Sequence, residues 1–183
     1  MTPADAAQFG PVDVALKDHR PVTLRLLAAD DEVRLGDFYL TVPREDYRFY
    51  RAQALGRELA REVMGKVHSP TDVVLVACAP DNDSIVGYAW YVWQADKPAT
   101  SVFGLCVRRS HQGAGLGRAL MLRLTAIARD IGPPVMTLTV QVANPHAVEL
   151  YRQRGFRIVR QQMRGATKDF PAEPEYYMER AVR

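Results

Sequence analysis

The stretch Val107-Arg108-Arg109-Ser110-His111-Gln112-Gly113-Ala114-Gly115-Leu116-Gly117-Arg118 constrains this chain more than any other. It joins an apolar run over 102–107, which reads as a strand, to a helical pattern over 115–129. In that pattern Leu116, Ala119, Leu120, Leu124 and Ile127 share one face. Glycines at alternate positions let successive backbone N–H groups converge on one point, because no side chain blocks the approach. The helix that follows adds about half an elementary positive charge at its N-terminus. A phosphate or diphosphate is the natural occupant of such a turn. Gln112 offers a side-chain N–H, and Arg118 offers charge-assisted bonds. The dinucleotide fingerprint GxGxxG does not fit, since counting from Gly113 its third glycine falls on Arg118. No Gly-Lys-Ser/Thr triplet follows at P-loop spacing.

The remaining segments supply a sheet around this turn. Val22–Leu27, Val73–Ala79, Ile85–Trp93, Val135–Val142, Phe156–Gln161 and Tyr176–Val182 read as further strands, the second and third joined as a hairpin by Pro80-Asp81-Asn82-Asp83. Over 135–142 the alternation places Met136, Leu138, Val140 and Val142 on one side and Thr137, Thr139 and Gln141 on the other. Asp30-Asp31 is expected to cap a short helix ending near Leu40. Phe49, Ala52, Leu55, Leu59 and Val63 predict one long helix from about Arg44 to Met64. Asn144-Pro145 opens a short helix, with Asn as N-cap, that runs to Arg154. This order is that of a mixed α/β sheet with helices packed on it. We expect a loose, polar arm over 1–19 and a single domain over 20–183.

Composition closes off other classes. A net charge of +3, with 21 acidic residues dispersed among the basic ones, does not call for nucleic acid. No apolar run approaches the roughly 20 residues that span a bilayer. The first residues lack a basic start followed by an apolar stretch, so a cytoplasmic location is expected. Cys78 and Cys106 lie in apolar runs and read as buried free thiols. His19, His68, His111 and His146 show no paired ligand spacing, so no metal is expected, and no G-x-S-x-G elbow is present.

A second motif is Asn144-Pro145-His146-Ala147-Val148-Glu149-Leu150-Tyr151-Arg152-Gln153-Arg154-Gly155-Phe156. It resembles, position for position, the N-x-x-A-x-x-L-Y-x-x-x-G-F segment of the GCN5-related N-acetyltransferase (GNAT) family. Gln112-Gly113-Ala114-Gly115-Leu116-Gly117 resembles that family's Q/R-x-x-G-x-G/A signature. The resemblance spans about 21–182 and is sharpest over 102–156. It implies a mixed, mostly antiparallel twisted sheet of six to seven strands flanked by about four helices. It also implies acetyl-coenzyme A as co-substrate and transfer of its acetyl group to an amine by direct attack in a ternary complex. On that reading Gln112, Gly113, Ala114, Gly115, Gly117 and Arg118 hold the pyrophosphate, and Leu105 and Val107 offer backbone groups to the pantetheine arm. The Val107 N–H polarises the thioester carbonyl, Asn144 bonds the arm, and Tyr151 is the general acid that protonates the departing thiolate.

The chain departs from the family at the strand before the glycine turn, where the usual general-base glutamate is Ser101. Asp96 in the preceding loop, a water chain, or an amine arriving already neutral are the alternatives; His111 reads as facing solvent or phosphate. The family builds its acceptor site from the first helices and the loop between the last two strands. Those segments hold Asp37, Phe38, Tyr39, Glu45, Asp46 and Tyr47, then Lys168, Asp169, Phe170, Glu173, Glu175 and Tyr176, acids and aromatics suited to a cationic amine. A small-molecule amine and a protein amino group both remain open as acceptor. An exposed sheet edge allows a homodimer. Two other readings stand beside the enzyme: a catalytically weak acyl-coenzyme A sensor of the same fold, and a plain structural domain that binds no cofactor.

Overall fold

The computed structural model describes residues 8–50 and 56–183. Eight strands form one sheet: β1 (Val12–Ala15), β2 (Pro21–Leu26), β3 (Asp72–Cys78), β4 (Ile85–Gln94), β5 (Lys97–Val107), β6 (Val135–Gln141), β7 (Arg157–Arg164) and β8 (Glu173–Ala181). Their spatial order is β1-β2-β3-β4-β5-β6-β8-β7. Every neighbouring pair is antiparallel except β5 and β6. Four α-helices are present among the described residues: α1 (Glu32–Leu40), α2 (Arg57–Met64), α3 (Leu116–Ile131) and α4 (Pro145–Arg152).

Side-chain pattern decides which face each element covers. Strand β3 is apolar at every position from Val73 to Cys78 because it is buried on both sides. Val73, Leu75 and Ala77 join the core beneath α3 and α4, while Val74, Val76 and Cys78 join a second core beneath α1 and α2. Leu116, Leu120, Leu124 and Ile127, at helical spacing along α3, are at most 1% exposed. Burying each such side chain stabilises the fold by about 1.5–3 kcal/mol.

The structure departs from the sequence expectations in three places. First, the sheet has eight strands, because Val12–Ala15, inside the stretch expected to be a loose arm, pairs with β2. This strand is short and three of its four residues are exposed, so it carries no hydrophobic alternation; residues 1–7 lie outside the described ones. Second, one helix does not run from Arg44 to Met64. Arg44–Phe49 is a 3₁₀ turn, Tyr50 is extended, and α2 starts only after Gly56; the intervening 51–55 lie outside the described residues. Ion pairs from Asp46 to Arg109 and from Arg48 to Glu173 hold the turn, contacts that an apolar stripe cannot encode. Third, Asp31 precedes α1 as expected, but its carboxylate makes no cap bond. It accepts instead from Arg25 at 2.6 and 2.9 Å, Arg34 at 2.7 Å and the Ala28 N–H at 2.8 Å, wholly buried.

Candidate functional site

The site follows from how β5 and β6 pair. Their parallel ladder covers only Thr100–Val102 against Val135–Thr137. Beyond it both strands continue, β5 to Val107 and β6 to Gln141, without pairing with each other. A cleft of about 590 Å³ opens there, lined by both strands, the glycine turn, α4 and the 3₁₀ turn at Arg44–Phe49.

The β4–β5 ladder sets what β5 offers this cleft. The Arg108 N–H donates to the Val86 carbonyl at 3.0 Å, so the adjacent pair Gly87–Val107 is a non-hydrogen-bonded one. The N–H and C=O of Val107 therefore turn away from β4 and toward the side where β6 has parted. The unbroken register gives Leu105, opposite Ala89, the same orientation. A ligand arm bearing amides fits between the strands as an added strand would.

At the end of β5 the glycine turn meets α3. Gly113 and Gly115 have φ of +74° and +91°, conformations that a side chain disfavours. The first helical bond is from the Ala119 N–H to the Gly115 carbonyl. The six N–H groups from Gly113 to Arg118 donate to no acceptor among the described residues. No atom lies within 4 Å of where a Gly113 Cβ would stand, so an anion approaches unhindered. Arg118 and Arg154 line the cleft with no carboxylate partner among the described residues. This donor set fits a diphosphate.

Most of the residues read from sequence come together. Leu105, Val107, Gln112, Gly113, Gly115, Gly117, Arg118, Asn144 and Tyr151 all line the cleft. Ala114 does not; it is buried behind the turn, and its carbonyl accepts the Lys17 N–H at 2.9 Å. Gln112 is engaged differently from expectation: its Nε2 donates to the Val107 carbonyl at 3.0 Å, tying the turn to the strand end. The Asn144 Oδ1 accepts the Ala147 N–H at 3.2 Å and caps α4.

Tyr151 projects from α4 into the cleft wall. Its ring packs edge-on against Phe103 and Phe156, at 6.1 and 5.8 Å between centroids. Burial raises the phenol above its ordinary pKa, so it stays protonated at neutral pH. Its hydroxyl makes no hydrogen bond to a described residue. Cys106 is buried, and burial pushes its thiol up to about 12, which removes it as a nucleophile.

Ser101 is buried, and its hydroxyl donates to the Val135 carbonyl at 3.0 Å; it is structural. Asp96 sits at the opposite end of β5 from the glycine turn. His111 lines the cleft beside Ser110, and burial, with Arg20 and Arg108, lowers its pKa. Of the acids and aromatics expected around the acceptor, Asp46 alone lines the cleft. Phe38 and Tyr39 are core residues, Asp37 pairs with Arg57, and Glu173 pairs with Arg164. Sequence reading missed Lys17, Phe49, Tyr50, Thr139 and Gln141 as lining residues. The signal for the last two was their polar alternation on a strand buried on both faces. No cluster suited to a metal ion occurs among the described residues.

Comparisons with known proteins agree with this geometry. The L-amino acid N-acyltransferase MnaT of Escherichia coli (strain K12) is 32% identical over 97 residues, 51% of this chain and 56% of that protein. A mycothiol acetyltransferase of Jonesia denitrificans is 31% identical over 88 residues, 48% of this chain and 28% of that protein. The chain thus spans about half or less of these relatives' length. The GNAT domain of S. lividans PAT superposes with a TM-score of 0.74 at 23% identity, over 96% of this chain and 98% of that one. The yncA acetyltransferase structure from Salmonella typhimurium, which holds acetyl-CoA, gives 0.72 at 21% identity, over 88% and 94%. Both likenesses establish the fold. The model of the acetyltransferase (GNAT) family matches residues 35–156, spanning the parted strands, the glycine turn and α4, and the chain belongs to that family.

Proposed function

We propose that the protein is an N-acetyltransferase that moves an acetyl group from acetyl-coenzyme A to a primary amine by direct attack within a ternary complex. The observation that carries this reading is the gap between β5 and β6: the β5 edge, with the Leu105 backbone groups and the Val107 N–H facing the gap, leads from the glycine turn to a buried tyrosine. The co-substrate supplies an activated thioester. The N–H groups of Gly113 to Arg118 hold its diphosphate, and Leu105 and Val107 hold its arm. The Val107 N–H, fixed in place by the ladder, stabilises negative charge growing on the carbonyl oxygen. Tyr151 donates to the departing sulfur, and the apolar wall that raises the phenol also raises the proton affinity of that sulfur.

No side chain is assigned as base. Asp46 lines the cleft, but Arg109 engages both of its carboxylate oxygens, at 3.0 and 3.1 Å. The amine arrives neutral or loses its proton to solvent. The small molecules in the relatives' names, amino acids and mycothiol, support a small amine as acceptor. No described helix is long and apolar enough to cross a membrane.

Calorimetry with acetyl-coenzyme A, followed by a thiol-release assay over amino acids, polyamines and peptides, tests this reading. Saturable binding with amine-dependent release is expected; no binding refutes it. The buried Ser101 in place of an acid favours one second reading, a sensor that binds the cofactor without turnover, for which binding occurs and no amine releases thiol.

A further inference from the structure

We propose that Lys17, carried by the β1–β2 turn, is a ligand of the diphosphate held by the glycine turn; this rests on the cofactor reading above. Three hydrogen bonds strap the edge hairpin to that turn and its helix. The Lys17 N–H donates to the Ala114 carbonyl at 2.9 Å, Arg20 Nη2 donates to the Ser110 carbonyl at 2.8 Å, and Arg123 Nη2 donates to the Gly10 carbonyl at 2.8 Å. The Lys17 side chain then runs across Gly115. Its Cγ, Cε and Cδ lie 3.5, 3.8 and 3.9 Å from where a Gly115 Cβ would stand, and it lines the cleft.

The charges lining that position suit an anion. Lys17 has no carboxylate partner among the described residues, because Asp18 beside it is bound to Arg20 at 2.6 and 2.9 Å. The cleft that it lines also holds Arg118 and, at the positive end of α3, the unshared N–H groups of Gly113 to Arg118. A diphosphate in the cleft would meet all of these groups favourably, with charge-assisted hydrogen bonds from the ammonium. A segment outside the sharply family-like part of the chain thereby completes the site.

The test is calorimetric binding of acetyl-coenzyme A to the wild type, Lys17→Met and Lys17→Arg, repeated with 3′-dephospho-coenzyme A. Methionine keeps the stem over Gly115 and removes only the charge. Removing one charged hydrogen bond is expected to weaken binding about tenfold at low salt, less at high salt, and arginine is expected to restore most of it. The same penalty with the dephospho compound supports the diphosphate as the site of contact. A penalty that vanishes with the dephospho compound places Lys17 on the 3′-phosphate and overturns the assignment. Wild-type affinity in Lys17→Met overturns it too, leaving Lys17 as a cover for Gly115. Failure of the wild type to bind acetyl-coenzyme A removes the cofactor reading along with it.

Discussion

Replacing Tyr151 by phenylalanine deletes one oxygen atom from the cleft wall and leaves the packing untouched. The ring contacts with Phe103 and Phe156 are retained, and the hydroxyl has no described partner that the change would orphan. Stability is therefore expected to stay within about 0.5 kcal/mol of the wild type. Catalysis is another matter. A positioned general acid contributes roughly 10²–10⁴ to the rate. Burial makes this phenol a weaker acid than usual, which places the expected loss at the lower end: about a hundredfold in kcat, or about 2.7 kcal/mol of barrier. The acetyl-coenzyme A dissociation constant is expected to change by less than about twofold, since the proposed cofactor contacts lie on β5, the glycine turn and Lys17 rather than on this hydroxyl. Because the shift is upward, the wild-type phenol stays protonated across the ordinary assay range. The kcat ratio of the two proteins should accordingly stay flat with pH up to about 9. The measurement is steady-state thiol release with a saturating amine, alongside calorimetry. A kcat within about threefold of the wild type, with unchanged affinity, would refute the assignment of Tyr151 as acid.

Three further outcomes follow from the geometry. Asp31→Ala takes the two-pronged carboxylate from the Arg25 guanidinium, 17% exposed, leaving it the Leu26 carbonyl at 3.2 Å and Asp83 at 3.5 Å, and leaves the Ala28 N–H without its acceptor; it should cost about 3 kcal/mol, read as a lowered urea midpoint. Its Arg25 and Arg34 contacts and the Ala28 N–H, outweighing burial, hold the native Asp31 pKa below the ordinary value, so this stability is present above about pH 4 and is lost as pH falls through the native pKa. The gap between the two proteins should narrow in acid, and a constant gap would contradict the ionic account. Gly115→Ala forces a side chain onto φ of +91°, costing about 1–2 kcal/mol and misdirecting the helix-start N–H groups; acetyl-coenzyme A affinity should fall more than the melting temperature implies, and unchanged affinity would contradict the role of this turn. Leu124→Ala, at a fully buried position of α3, should destabilise by about 3–5 kcal/mol with kcat per folded molecule unchanged, checked by denaturant titration and active-site counting.

Much of the site could be read before the fold. The strands at Val73–Ala79, Ile85–Trp93 and Val135–Val142 matched β3, β4 and β6 within a residue, because alternation or an unbroken apolar run reports how many faces of a strand are buried. The glycines at 113 and 115 adopt the left-handed backbone expected of an open turn, and Asn144-Pro145 starts α4, since dihedral preference and capping act over a few neighbouring residues. Such local features are what the amino-acid order by itself determined: a strand, an open glycine turn and a helix in succession, with an Asn-capped short helix downstream.

Only the tertiary structure decided how those parts are completed. The gap between β5 and β6 exists because a parallel ladder stops after three residues, which no pattern within either strand announces. Gln112 bonds the Val107 carbonyl, Arg20 reaches the Ser110 carbonyl 90 residues away, and Arg109 fixes Asp46 across 63 residues. The Asp46–Arg109 pair holds a 3₁₀ turn where the apolar stripe predicts helix, and the bonds of Lys17 and Arg20 to the Ala114 and Ser110 carbonyls bring Lys17 to the cleft. A hydrogen bond or ion pair between distant segments depends on the path of the chain through space, whereas backbone preference and side-chain periodicity depend on immediate neighbours.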